Sequence, residues 1–386
     1  MSRTDARRSL LIELFRAGLA RVDGRRCVRE ALGAVPGRVW AAAIGKAACA
    51  MALGAHDALG ERLERLLVVT PAGQVPTQLR GLACAEIHES AHPIPDERSV
   101  HAGRRLLEWL DALPGAVWPL FLISGGSSAL VEVPEQGVTL EDLARVSRQG
   151  LAQGVPIGEL NARRARLSRI KGGRLAAGLA RPGRALFISD VPDDDPATIG
   201  SGLLAAPPAG DLIRREIVAS VDRALDGIAE AAAQRRLTVR RAPGRFGGEA
   251  ARLAVQFTHE LALGHAQVRL WGGESTVTLP EQPGRGGRNQ HLALAAARLM
   301  AGYPELALLA AGTDGADGPG AAAGAIVDAD TCGRIALHGL DPDDCLRRAD
   351  SGTALEAAGA LLQTGPTGTN VADIVIGVKL APHEVP

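Results

Sequence analysis

The stretch "LFLISGGSSALV", Leu120 to Val131, decides how this 386-residue chain is read. An apolar strand runs straight into Ser124-Gly125-Gly126-Ser127-Ser128, and an apolar segment resumes at once. A strand that is apolar at nearly every position has both faces covered, which is the habit of parallel sheets in α/β proteins. The pattern recurs in "VWAAAIGK" (39–46), "LLVVT" (66–70), "ALFISD" (185–190), "LALLAAGTDG" (306–315) and "DIVIGV" (373–378). Segments of helical character lie among them at 4–22, 97–112, 139–153, 211–234, 248–263 and 289–301. In the first of these, Leu10, Leu11, Leu14, Phe15 and Leu19 follow a 3–4 spacing. The alternation predicts a parallel α/β sheet with helices on both faces. Ligands of such sheets bind outside the carboxyl ends of the strands, and there this sequence keeps its glycines and acids.

Length alone favours two or more domains. Pro and Gly clusters at "LLAAPPAG" (203–210) and "RRAPGRFGG" (240–248) mark the best junction, giving expected domains of 1–240 and 241–386. Formal net charge is zero, which suggests neither a nucleic-acid nor an anionic-membrane partner. Cys27, Cys49, Cys84, Cys332 and Cys345 are scattered without a CxxC, as expected of free thiols in a reducing compartment. The N-terminal "MSRTDARRSL" lacks the apolar core of a secretory signal, and no uninterrupted apolar run reaches membrane-spanning length. A cytoplasmic protein is expected. Of 43 basic residues only Lys46, Lys171 and Lys379 are lysine, and the first two sit in glycine-bearing turns, "IGKAA" and "IKGGR". A compact ammonium and a planar guanidinium are not interchangeable against a phosphate in a tight loop.

Several loops could carry chemistry. No GxxxxGK[ST] P-loop, no GxGxxG after a strand and no protein-kinase signature set is present. Backbone N–H groups of Gly125, Gly126, Ser127 and Ser128, opening a helix, would make an anion-binding nest. The rival reading of the same turn is a nucleophile elbow built on Ser127, which needs a later acid and histidine; His338 and His383 come late enough. In "GGESTVTLPEQPGRGGRNQH" (272–291), Glu274 ends an apparent strand, and Arg285, Arg288 and Asn289 lie in a glycine-rich turn that opens a helix. Dipole, amides and guanidinium together suit a phosphate or carboxylate there. "SDVPDDDPATIGSG" (189–202) carries Asp190, Asp193, Asp194 and Asp195, and "AAGTDGADGPG" (310–320) carries Asp314 and Asp317. Either loop alone reads equally well as a solvated turn. Together they offer carboxylates from separate strand ends, and Mg²⁺ is usually held by one or two carboxylates plus substrate phosphates.

"AIGKAA", "LISGGSSAL", "LSRIKGGRLA", "SDVPDDDPATIGSG", "GGESTVTL", "GRGGRNQ", "GTDGADGP" and "TGPTGTNVAD", taken in this order, resemble the glycerate 2-kinases of the two-domain MOFRL type. The resemblance spans nearly the whole chain. It implies a larger Rossmann-like, doubly wound α/β domain, a smaller α/β domain and an active site in the interdomain cleft. It also implies ATP-dependent phosphorylation of D-glycerate at its 2-hydroxyl with Mg²⁺, so that the partners are a small hydroxy acid and a nucleotide. By motif, Lys46, Asp190 and Arg288 are the expected catalytic positions. Gly45, Ser124, Gly125, Gly126, Ser127, Ser128, Lys171, Glu274, Arg285 and Asn289 are expected to bind substrate or phosphate. Asp190, Asp194, Asp195, Asp314 and Asp317 are the metal candidates. Some relatives bear the label hydroxypyruvate reductase, and the missing dinucleotide fingerprint argues against that activity here.

The chain departs from the family pattern where Ser127 replaces a third glycine, where Asp193 replaces glycine, at Ala165-Arg166 in place of a lysine-histidine pair, and at Leu203 in place of proline. These changes touch the expected site lining and bear on which hydroxy acid is accepted. A serine hydrolase using Ser127 and a sugar-acid or nucleotide sensor without turnover are the alternatives.

Overall fold

A computed structural model of the chain describes residues 3–33, 35, 37–153, 157–208, 210–381 and 384. His383 lies outside the described residues. The chain forms two compact units, one of residues 22–220 with 368–371, the other of residues 1–21, 221–367 and 372–386. The division therefore falls at four crossings rather than at one point near 240, because the N-terminal helix and four late residues each pack with the unit distant in sequence.

In the first unit, strands β1 (Arg38–Ile44), β2 (Leu63–Pro71), β3 (Ala85–Ser90), β4 (Val117–Ile123), β5 (Gly183–Ile188) and β6 (Ile213–Ala219) form one sheet. Its order is β3-β2-β1-β4-β5-β6 and every pairing is parallel. This is the doubly wound order whose direction reverses between β1 and β4, opening a crevice at their carboxyl ends. Ile44 pairs with Ile123, and Ile123 with Phe187, so the loops after β1, β4 and β5 emerge side by side. The four inner strands are apolar and buried along most of their length, with Trp40, Ile44, Phe121, Ile123 and Phe187 in one core.

The segment 211–234, expected as one helix, is strand β6 followed by helix Val221–Gln234. "IRREIVA" is an edge strand whose charged residues break the apolar run, so its periodicity was absorbed into that of the helix.

The second unit holds β7 (Val239–Arg241), β8 (Phe246–Glu249), β9 (Val268–Thr276), β10 (Leu306–Gly312), β11 (Gly324–Asp328), β12 (Leu361–Leu362) and β13 (Asp373–Lys379). The order is β12-β11-β10-β13-β9-β7, with β8 also beside β9. Pairings from β12 through β9 are antiparallel, and only β7 and β8 run parallel to β9. The expectation of parallel pairing thus fails for "LALLAAG" and "DIVIGV". Helices cover both faces of this sheet, every residue of β10 is buried, and a two-sided apolar strand reads the same in either direction.

Candidate active site

In the first unit the loops at the β1/β4 reversal interlock. The Lys46 N–H donates to the Gly125 carbonyl (2.9 Å), and the Ala47 N–H donates to Ser124 Oγ (3.0 Å). Ser124 is fully buried, so its hydroxyl fastens the turn after β1. Gly45, at φ +132°, is pressed against Ser124; a side chain there would be strained by conformation and blocked by contact. Asp190 follows β5 by two residues and reaches the same place: a Cβ on Gly125 would collide with Asp190 Oδ2 and with Asn370 Nδ2. A Cβ on Gly126 would meet the His92 ring at 3.1 Å and Lys46 Cγ at 3.2 Å. The Gly125-Gly126 pair is therefore a bare backbone floor against which Asp190, Asn370, His92 and the Lys46 stem are packed. Lys46 and Asp190 are both half-buried.

The helix opened by this turn is only Ser127–Leu130, a single turn, so no macrodipole backs the expected nest. Ser127 is fully buried and its Oγ has no hydrogen-bond partner, whereas an elbow serine is exposed and engaged by a base. The hydrolase reading fails on that geometry. Ser128 Oγ lies 2.8 Å from Ser201 Oγ, and Ser201 Oγ donates to Asn161 Oδ1 (2.9 Å), tying the turn to the end of the acidic segment. Within that segment, Asp195 Oδ1 accepts from the Ala197 N–H (2.9 Å), and Asp194 sits at φ +53°.

Lys171 is placed differently. Its ammonium is fully buried in an ion pair with Glu132, and the charge of Arg164 is also felt there. Burial pulls the Lys171 pKa down while Glu132 opposes it, and the net direction is down. An ammonium so enclosed holds the protein together rather than meeting a ligand from solvent.

In the second unit, Arg288 begins helix Arg288–Met300 and is gripped by two carboxylates. Asp373, buried at the start of β13, takes a bidentate pair from Nε (2.6 Å) and Nη2 (3.0 Å). Glu274, near the end of β9, takes Nη1 at 2.9 Å. Burial works to lower the Arg288 pKa, but Asp373, then Glu274 and Asp317, reverse it, and the net direction is up. This is a fixed, permanently charged fork. Asp314 and Asp373 both approach Gly312, and Asp314 Oδ1 accepts from the Ala316 N–H (3.0 Å).

Asp317 is committed to structure. Its carboxylate accepts from the N–H groups of Asn289 (3.0 Å) and Gln290 (2.8 Å) and from both side-chain amides, capping the helix from outside. Burial pushes its carboxyl up to about 6, against those two backbone donors. The backbone and side-chain N–H groups of Asn289 are engaged in this cap, while its buried Oδ1 has no hydrogen-bond partner. Arg285 pairs with Glu356 at 2.9 Å, both largely exposed, while its N–H donates to Asp350.

Among the described residues no three His, Cys, Asp or Glu side chains gather as a ready metal site. Mg²⁺ does not need one, since one or two carboxylates with substrate phosphates suffice, and the hard oxygens of the Asp190 loop or of Asp314 fit that demand. Sequence reasoning missed Asn370 and Asp373. Both stand in "TGTNVAD", where an amide and an acid carry no local pattern that announces a distant partner.

A doubly wound sheet whose switch-point loops set a lysine and an aspartate against one glycine floor has the architecture of an α/β enzyme that binds small molecules at its strand ends. Residues 10–233 match the family model described as a domain of unknown function (DUF4147), and residues 267–373 match the MOFRL family. A D-glycerate 2-kinase of Thermotoga maritima is 34% identical, with 96% of this chain and 98% of the relative aligned. A crystal structure of glycerate kinase from the same organism superposes with a TM-score of 0.86 at 33% identity, covering 97% of this chain and all of the other. A protein of Agrobacterium vitis, provisionally named a hydroxypyruvate reductase, is 36% identical over 88% of this chain and 98% of its own length. The chain belongs to the MOFRL-type glycerate 2-kinase family.

Proposed function

We propose that this chain transfers the γ-phosphoryl group of ATP to the 2-hydroxyl of D-glycerate, giving 2-phosphoglycerate and ADP. The observation that carries the reading is the placing of Asp190 against Gly125 and of the Lys46 stem against Gly126, at the switch point of a chain that aligns over 96% of its length with a D-glycerate 2-kinase. Asp190 accepts the proton of the attacking hydroxyl. A bond forms between that oxygen and the γ-phosphorus as the bond to the β,γ-bridging oxygen breaks, and the electron pair leaves with ADP. Lys46 neutralises charge on the glycerate carboxylate or the transferring phosphoryl, and Arg288 is a second cation suited to either group. Such chemistry is positioning and charge stabilisation, with little covalent work for the protein. Asp373 and Glu274 keep the Arg288 fork in one orientation. Mg²⁺, held by Asp190 loop carboxylates or Asp314 together with ATP phosphates, would supply charge neutralisation. None of the five cysteines is in a disulfide, which supports a reducing compartment, and we place the activity in the cytoplasm.

A coupled ADP-release assay over small hydroxy acids, with the product assigned by phosphorus NMR, tests the reading. D-glycerate is expected as the preferred acceptor and 2-phosphoglycerate as product. Oxidation of NADH with hydroxypyruvate, without ADP release from glycerate, would overturn it.

A further inference from the structure

We infer that Asn370 is a positioning residue for Asp190. The inference rests on the reading of Asp190 as the proton acceptor. Asn370 belongs to Gly368–Val371, four residues that pack with the six-stranded unit although the chain on either side, to Thr367 and from Ala372, belongs to the other. The excursion is anchored at its start. The Gly24 N–H donates to the Gly368 carbonyl (3.3 Å), and Gly24 has no Cβ to hold that carbonyl off. Two residues on, the Asn370 side chain is 6% exposed and its Nδ2 donates to Asp190 Oδ2 at 3.0 Å.

The contact is directional. An amide nitrogen only donates, so the pair fixes which carboxylate oxygen of Asp190 faces Asn370 and leaves the other outside this contact. Gly125 lies directly against both atoms, and its missing side chain is the space the pair occupies. Asp190 is thus oriented by a floor from the β4 loop and a clamp from residues 368–371. A base needs its reacting oxygen within hydrogen-bond reach of the proton it takes, so loss of the clamp costs turnover more than binding.

The test is a two-residue cycle of Asp190→Asn, Asn370→Leu, Asn370→Ala and the corresponding double variants, by steady-state kinetics with D-glycerate and MgATP. Asn370→Leu is close to asparagine in shape and carries no donor or charge, so it remains informative if the alanine variant does not fold. Removing the clamp is expected to lower kcat on the order of 10- to 100-fold, while both KM values move less than about threefold. In the Asp190→Asn background the same change is expected to have no further effect on residual turnover. Folded Asn370 variants with wild-type kcat, or with effects that multiply those of Asp190→Asn, would overturn the inference and leave Asp190 as base intact. Near-normal kcat in Asp190→Asn alone would overturn the role of Asp190 and this inference with it.

Discussion

Lys46 and Lys171 occupy loops that look alike in sequence, Gly45-Lys46-Ala47 and Lys171-Gly172-Gly173, in the same unit. In the folded chain they are opposites. Lys46 is half-buried, its stem beside Gly126 and its backbone tied to Gly125. Lys171 is sealed on Glu132, while Gly172 and Gly173 donate N–H bonds to the Ser201 and Gly202 carbonyls. A glycine beside a lysine shows that the backbone turns tightly; it does not show which way the ammonium faces. That direction is set by a carboxylate elsewhere in the chain. Glu132, an acid inside the apolar "ALVEVP", is the residue that captures one lysine.

The largest expected effect breaks the comparison on the buried side. Lys171→Met leaves Glu132 ionisable, buried and without its main partner, which costs on the order of 3–5 kcal/mol. Lys171→Met with Glu132→Gln removes the stranded charge while keeping an acceptor for the Val133 N–H, and is expected to regain at least half of the loss. Equilibrium urea unfolding followed by circular dichroism reads both. A single variant within about 1 kcal/mol of wild type would show that the pair is not the buried staple its geometry indicates.

The next effect belongs to Lys46 and appears in rate. Removing one preorganised donor to a developing charge lowers kcat on the order of 10²–10³, about 3–4 kcal/mol of transition-state stabilisation. Lys46→Ala is expected to do so with little change in the urea midpoint. Lys46→Arg is expected to recover little, since a planar guanidinium is larger than the ammonium in a turn closed by Gly45 and Ala47. Near-normal kcat in Lys46→Ala would make the two lysines alike in being structural.

Legibility followed burial in the same way. The four inner strands of the first sheet stood out because two-sided burial makes them apolar throughout, and both edges were lost. β3, "AEIHES", is polar along its length, and β6 carries Arg214, Arg215 and Glu216. Edge strands hold charge to discourage further pairing, so the property that protects them hides them. In the site, strand-end glycines and acids were legible because backbone turns impose them locally. Asp317 as a helix cap, Asp373 on Arg288 and Asn370 on Asp190 were not, since each bond joins residues 28, 85 and 180 positions apart. Strand direction in the second sheet was misread for a related reason: apolar periodicity reports coverage and carries no sign of pairing direction.

The smallest effect sharpens the comparison through the third lysine. Lys379 has no glycine loop, yet its ammonium is specifically placed, with Nζ donating to the Ala262 (2.6 Å) and Gly264 (3.2 Å) carbonyls. These close the end of helix Ala250–Leu263, where carbonyls lack partners within the helix and a cation meets the negative end of the dipole. Lys379→Ala is therefore expected to cost about 1 kcal/mol of stability, the sum of a modest dipole term and exposed carbonyls that water largely re-solvates. Lys379→Arg keeps charge and donors, and is expected to stay within about 0.5 kcal/mol of wild type. Neither substitution is expected to move kcat or KM. Lys379 thus separates charge as such from charge at the reacting centre. If Lys379→Ala lowered kcat at an unchanged urea midpoint, loss of rate in Lys46→Ala would no longer single out the glycine floor, and the contrast between the lysines would have to be sought in the electrostatic field of the whole chain.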